Sequence, residues 1–354
     1  MKIQLLKHVL NRFNVDTQEV TFQPITTGYI NDTFLVLMSQ KPLYILQSIN
    51  HKVFKNIEQL MQNIEMALDK LQSNDYSSIM LLKTHNGKSF YKHNNKYWRL
   101  MTFIEGSITY NTTSNPKIAF EAGLIIGRFH SLLQHETAQD FTESIPNFNN
   151  LPFRKKEFNN ALIKTSETKK ESAKNEIDFV IKILPKFDVF YKAQLPLRVC
   201  HNDTKLNNIL FNKTNEALCL IDLDTIMKGY FHYDFGDAVR TIVNTANEDE
   251  KELSKITFNN PLFEAFINGL STNKSFWSSI EIELLPLSVA LMPFIHGLRA
   301  LTDYLRGNIY YKVAYKNQNL DRCKSLFHFT KLALQHHDYM KEIIGVKLNK
   351  KKHN

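Results

Sequence analysis

Cysteine is scarce in this chain, and the three present (Cys200, Cys219, Cys323) form no CxxC pair. That spacing offers neither a disulfide framework nor a zinc site, so a reducing compartment is the default expectation. Long apolar runs are missing as well. The most apolar stretch, LLPLSVALMPFIHGL, has about fifteen residues and two prolines, short of the roughly twenty that a membrane span requires. The segment MKIQLLKHVLNRF interleaves Lys, Gln, His and Asn with its apolar residues, so it lacks the apolar core of a signal peptide. Dense basic runs are absent apart from KLNKKKHN. Although the net charge is +9, the 44 Lys and Arg are scattered among 35 acidic residues, which argues against a nucleic-acid partner. A cytoplasmic protein with no membrane partner is the resulting expectation. At 354 residues and 43% hydrophobic content it can bury a sizeable core, as one bilobal unit or two domains.

What is present is concentrated in HNDTKLNNILFNKTNEALCLID, residues 201–222. The runs Asn208 to Asn212 and Ala217 to Ile221 are short, apolar and β-prone, and Lys213-Thr214-Asn215-Glu216 between them reads as a turn. A hairpin brings its open ends together, so His201, Asp203 and Asn208 before the first strand meet Asp222 and Asp224 after the second. Three carboxylates, an amide and an imidazole then share one end of a small sheet. A hard cation such as Mg²⁺ favours such oxygen ligands, with room left for waters and phosphates.

At this spacing the chain resembles the aminoglycoside phosphotransferase and choline kinase superfamily, relatives of the protein kinases. In that family HxDxxxxN carries the catalytic base and a metal-ligating Asn, and a strand-end Asp some twenty residues on also binds the metal. The resemblance therefore implies Asp203 as base, Asn208 and Asp222 as Mg²⁺ ligands, ATP as co-substrate and His201 as support for the loop. The chain also contains the literal kinase string Asp234-Phe235-Gly236. Spacing decides against it as the metal site, since Asp222 follows the base by one short hairpin and Asp234 lies well beyond. Asp234 and Asp237 read as structural, anchoring a loop or opening the helix that contains Arg240.

The order of elements agrees with that resemblance. Val20 to Ile25, Thr33 to Met38 and Leu43 to Ile49 are strand-like runs, broken by Thr27-Gly28 and by Ser39-Gln40-Lys41-Pro42. A helix is expected from about Asn56 to Leu71, where Ile57, Leu60, Met61, Ile64 and Leu68 recur at helical spacing. Two further strands flank Asn86-Gly87 and Asn94-Asn95, ending in Tyr97 to Phe103. The expected fold class is α+β, a bilobal protein-kinase-like fold. Residues 1–103 would form a small five-stranded antiparallel lobe with one helix, and residues 104–354 a larger, mainly helical lobe. By resemblance Gly28 in TTGYINDTF marks the phosphate-covering loop, although it stands alone where kinases use several glycines. The segment Thr102, Phe103, Ile104, Glu105 becomes the adenine-binding hinge. One departure stands out: the third strand, YILQSIN, carries Gln47 and Ser48 where kinases place a phosphate-binding Lys, and Lys52 and Lys55 are the nearest substitutes.

The combination GYINDTF, YILQSINHKVFKN, YWRLMTFIEGS, CHNDTKLNNILF, LCLIDLDTIMKG, YDFGDAVR and GLRALTDYLRGNIYYK is similar to the N-acetylhexosamine 1-kinases. That resemblance implies transfer of the γ-phosphate of ATP to the anomeric hydroxyl of N-acetylglucosamine or N-acetylgalactosamine, in sugar salvage. Tyr29 occupies a slot where the family often has His. Sugar recognition needs converging polar groups and an aromatic surface. Asp224, Arg299 and Tyr310 are the expected contacts, with Asn31 or Asp32 closing over the site from the small lobe and Asp303 sharing a helix face with Arg299. Partners are thus ATP and a small sugar, and the expected state is a monomer or weak dimer. Choline, ethanolamine or aminoglycoside kinases on the same scaffold are the alternative, and a nucleotide-binding pseudokinase is a further one.

Overall fold

The computed structural model describes residues 2–26, 30–273 and 276–349. The first strands follow their side-chain alternation. β1 (Val20–Ile25), β2 (Asp32–Met38) and β3 (Lys41–Ile49) form an antiparallel meander, and Ser39 and Gln40 take positive φ at the tight turn. Helix α2 (Ile57–Lys70) starts where Asn56 accepts the Gln59 N–H at 3.1 Å and buries Ile57, Leu60, Met61, Ile64 and Leu68. After it come β4 (Leu81–Leu82), β5 (Tyr91–His93) and β6 (Lys96–Thr102). The sheet runs β1-β2-β3-β6-β4, with β5 also on β6, so it has six strands where five were expected. Asn94 and Asn95, both with positive φ, close the two-residue hairpin between β5 and β6. Asn86-Gly87 makes a turn that closes Thr84 onto Lys88, but β4 and β5 pair with β6 and not with each other.

The small lobe has a second helix that the sequence reading passed over. Within α1 (Lys2–Leu10) and the three residues beyond it, Leu6, Val9, Leu10 and Phe13 are buried. They cover one face of the sheet, against Val20, Phe34, Val36, Leu46, Trp98 and Leu100. The opposite face, bearing Thr33, Gln47 and Arg99 in one cross-strand row, looks toward the large lobe.

The large lobe is mainly helical: α3 (Pro116–Leu133), α4 (Leu151–Lys164), α5 (Glu167–Ser172), α6 (Lys174–Ile183), α7 (Val189–Lys192), α8 (Phe231–Ile242), α9 (Asn260–Leu270), α10 (Ser279–Arg306), α11 (Gln318–Gln335) and α12 (His337–Leu348). α10 is long and apolar enough to cross a membrane, yet 83% of its apolar window is buried, so it is the central core helix against which α4, α8, α11 and α12 pack. α3 and α9 touch backbone to backbone, because a Cβ on Gly269 would fall 1.8 Å from the Phe120 carbonyl oxygen. The buried amide of Asn63 on α2 donates to the Thr142 and Ile226 carbonyls at 2.8 and 2.9 Å, which ties the small-lobe helix to the large lobe.

Four short strands carry the site. β8 (Ile209–Phe211) and β9 (Ala217–Leu220) form the expected hairpin, and β7 (Arg198–Cys200) pairs antiparallel with β10 (Met227–Gly229) outside it. Two nested pairs hold the intervening loops, 201–208 and 221–226, side by side. Ile221 N–H donates to the Asn208 carbonyl at 2.8 Å across the gap.

Candidate active site

Three backbone-anchoring side chains fix the loop that starts at His201. Asp234 accepts the His201 and Asn202 N–H groups at 2.8 and 2.6 Å, and His130 Nε2 lies 2.9 Å from its carboxylate. His201 Nε2–H donates to the Ile221 carbonyl at 2.8 Å while Nδ1 accepts the Asp203 N–H at 3.3 Å, which selects one tautomer. Asn202 Nδ2 donates to the Cys200 and Thr225 carbonyls, both at 3.1 Å, bridging the two loops. Asn202 and Asp222 both adopt left-handed backbone, φ 63° and 62°, an uncommon conformation that clusters at functional sites.

On this frame the expected residues converge. Asn208 Nδ2 donates to the Asp203 carbonyl at 2.8 Å and to its Oδ2 at 2.9 Å. Lys205 Nζ stands 2.9 Å from the same carboxylate. Burial alone would lower the Lys205 ammonium, but Asp203, Asp222 and Asp237 outweigh it and hold Lys205 above its ordinary range. Asp222 is pushed up to about 6 by its low-dielectric surroundings and by the carboxylates of Asp224 and Asp203 beside it, against the pull of Lys205 and Arg99. Asp224 receives Asn31 Nδ2 at 2.6 Å and is ion-paired with Arg99. Asp222 therefore lies in a cluster of acidic oxygen donors that repel one another, a setting that suits a hard divalent cation. With its Nδ2 spent on Asp203, Asn208 keeps its carbonyl oxygen for such an ion.

Other expected residues fall differently. Asp32 is exposed at the start of β2, 3.9 Å from Lys96, and makes none of the contacts that Asn31 makes to Asp224. Gly28 and Tyr29 lie outside the described residues. At the hinge, Thr102 N–H donates to the Met80 carbonyl and Phe103 N–H to the Leu43 carbonyl, so both are spent inside the sheet. The N–H groups of Ile104 and Glu105 and the Phe103 carbonyl have no protein partner among the described residues. Lys52 and Lys55 are exposed and form no ion pair among the described residues.

The string Asp234-Phe235-Gly236 sits within α8, running from its first turn into its second, and not in a loop. Phe235 is fully buried, and a Cβ on Gly236 would fall 2.3 Å from the Ser288 carbonyl oxygen, so the glycine lets α8 touch α10. One turn further on, Asp237 meets Arg240 at 2.8 Å and His296 at 3.3 Å. Burial would raise its pKa, but Arg240 and His296 hold the carboxyl well below the usual range.

On α10, Arg299 lies over the Phe148 ring at 4.9 Å and the Tyr311 ring at 6.0 Å. Tyr310, which is 60% exposed, lies close enough to Arg299 to help hold its guanidinium charged, as does Tyr311. Asp303 serves the turn and not the cleft. Its oxygens accept the N–H groups of Ile309, Tyr310 and Tyr311 at 3.0, 2.8 and 3.0 Å, and Asn319 Nδ2 at 2.8 Å, all within the fold. Lys205 and Arg99 were missed by the sequence reading. The first carried a signal, a Lys two positions after the base; the second depends on strand register.

Residues 21–255 match the profile of the phosphotransferase enzyme family. The chain belongs to that family. Among solved structures it is similar to a microcompartment-associated aminopropanol kinase, at 16% identity over 96% of this chain and 98% of that one, with TM-score 0.65. A choline kinase from Cryptosporidium parvum Iowa II superposes at TM-score 0.60 and 13% identity over 98% and 99% of the two chains. An amicoumacin kinase in complex with AMP-PNP, Ca²⁺ and its antibiotic gives 0.63, 11% and 93% of each chain. These likenesses carry the phosphotransferase fold, an antiparallel sheet lobe joined to a larger helical lobe.

Proposed function

We propose that this phosphotransferase moves the γ-phosphate of ATP to the anomeric hydroxyl of an N-acetylhexosamine. Asp203 orients the acceptor hydroxyl and takes its proton as the oxygen–phosphorus bond forms. Lys205, held against Asp203, places a positive charge beside the transferring phosphoryl oxygens. Asn208, through its free carbonyl oxygen, and Asp222 would hold Mg²⁺, which offsets charge on the β and γ phosphates when bound. Ile104, Glu105 and Phe103 offer backbone groups to the adenine edge. Catalysis is then mainly positioning and electrostatics, with direct transfer and no covalent intermediate.

The observation that supports a sugar acceptor is Arg299. Among the described residues it has no carboxylate partner, whereas the nearby acids are already paired: Asp237 with Arg240, and Glu248 with Arg240 at 3.0 Å and Arg322 at 3.6 Å. A wall carrying an unpaired guanidinium, flanked by Phe148, Tyr310 and Tyr311, suits a neutral, hydroxyl-rich ring with an apolar face. It disfavours choline, ethanolamine and aminoglycosides, which are cations. The test is a coupled ATP-consumption screen against hexosamines, hexoses, choline and kanamycin; turnover confined to the hexosamines supports the proposal, and a preference for a cationic acceptor contradicts it.

A further inference from the structure

Gln47, which stands where a kinase Lys is expected, points to the residue that replaces it. In the sheet register Thr33 faces Gln47 and Gln47 faces Arg99, so the three side chains form one row on the cleft face. Gln47 Nε2 donates to Thr33 Oγ1 at 3.0 Å, which fixes its amide so that Oε1 faces β6. That single oxygen accepts both Arg99 Nε–H at 3.0 Å and Nη2–H at 2.8 Å. The guanidinium is thereby held in plane before any ligand arrives. Its remaining link is Nη1 to Asp224, across the lobes, at the loop that carries Asp222. Arg99 is only 2% exposed, and it is the cation of the small lobe that reaches this loop, since Lys52 and Lys55 are in solvent.

Resting on the phosphotransferase reading above, we propose that Arg99 on β6 supplies the phosphate-clamping charge that the third strand lacks, and that Gln47 is its positioning residue. Donor arithmetic leaves room for the ligand. A guanidinium has five N–H groups, and three are used here, two on Gln47 and one on Asp224. The other two have no partner among the described residues, and a planar pair of donors matches phosphate oxygens better than an ammonium would. The Arg99 ion pair with Asp224, two positions beyond Asp222, puts the guanidinium at the loop where metal-bound phosphates would lie. Lys at position 47 would have needed no such support; moving the charge one strand over requires a longer, forked side chain and a neutral residue to steer it.

The test compares binding of Mg·ATP and of adenosine to the full chain by titration calorimetry. Arg99→Met should weaken Mg·ATP about 10- to 100-fold, the scale of a lost charge-assisted hydrogen bond, while adenosine binding stays within about twofold. Arg99→Lys, which keeps the charge but loses the fork, should recover part of the loss. Because Arg99→Met strands the buried Asp224, the double variant Arg99→Met/Asp224→Asn removes both charges and should show the same selectivity for the phosphates. Equal weakening of Mg·ATP and adenosine, or unchanged Mg·ATP binding in either folded variant, overturns the proposal. Failure of the sugar reading looks different: hexosamines are then not turned over, while nucleotide binding still depends on Arg99.

Discussion

Asn208 grips Asp203 twice, donating from one amide nitrogen to the main-chain carbonyl at 2.8 Å and to the carboxylate at 2.9 Å. In the proposed mechanism the same amide would offer its oxygen to the metal and aim the base, so the two functions would be coupled through one side chain. Lys205 approaches that carboxylate at 2.9 Å, so Asp203 is held by two donors before substrate arrives.

Replacing Asp203 with Asn keeps the shape and removes the base. Turnover should fall by on the order of 10²- to 10⁴-fold, the usual contribution of a positioned general base, with Mg·ATP affinity little changed. Steady-state kinetics with calorimetric ATP titration measures both. Near-wild-type turnover would remove Asp203 from its role.

Asp222 carries a pH prediction. Its folded-state value of about 6 lies above the ordinary 3.8, so the folded protein holds this proton more tightly than the unfolded chain does. Stability from this group is present below about pH 4 and is lost as pH rises through about 6. Asp222→Asn should therefore raise the melting temperature of the metal-free protein at pH 7.5, with the gain vanishing near pH 4. The same variant should abolish Mg²⁺-dependent ATP binding. In the wild type that binding should weaken as pH falls below about 6, where the proton competes for the carboxylate. Melts and Mg²⁺ titrations between pH 4 and 8 decide this, and an unchanged or lowered melting temperature at pH 7.5 would contradict the crowding of carboxylates.

The kinase-like string on α8 should behave as structure. Asp234→Ala leaves the buried N–H groups of His201 and Asn202 without their acceptor and should cost about 3 kcal/mol or more. Gly236→Ala should also destabilise, since the new Cβ meets the Ser288 carbonyl at 2.3 Å. Denaturant unfolding measures both, and a variant that loses Mg²⁺ binding at full stability would mean that the metal site is misplaced.

Arg299→Ala should weaken use of N-acetylhexosamine by roughly 1.5 to 3 kcal/mol, the range for a hydrogen bond to a charged group. ATP binding and Mg²⁺ dependence should be preserved. A matching loss in ATP affinity would place Arg299 on the nucleotide side instead.

The parts legible in the sequence are those with local signals. β1 to β3 alternate, α2 has its Asn56 cap and its apolar stripe, and the hairpin around residues 213–216 has turn chemistry between two apolar runs. The pairing of β7 with β10 was not legible, because each strand is three residues long and the partners lie far apart in sequence. α1 was legible in the spacing of Leu6, Val9, Leu10 and Phe13, but the segment was weighed only as a signal peptide, and set aside as one, without its helical stripe being noticed. Arg99 is a matter of register: nothing in YWRLMTF says which strand it will face. Asp303 shares a face with Arg299 as expected. Its partners, however, are the N–H groups of a turn that begins past Gly307, where φ of 95° ends the helix, and only the folded turn reveals them.

The proposed acceptor is the anomeric hydroxyl of an N-acetylhexosamine, and phosphorus NMR of the product tests it most directly. With Mg·ATP and either N-acetylglucosamine or N-acetylgalactosamine, the new resonance should be that of a sugar 1-phosphate, formed with a higher kcat/KM than any product from choline or kanamycin. A 6-phosphate, or phosphocholine or a phosphorylated aminoglycoside formed in preference to both, would contradict the account while leaving the phosphotransferase fold in place.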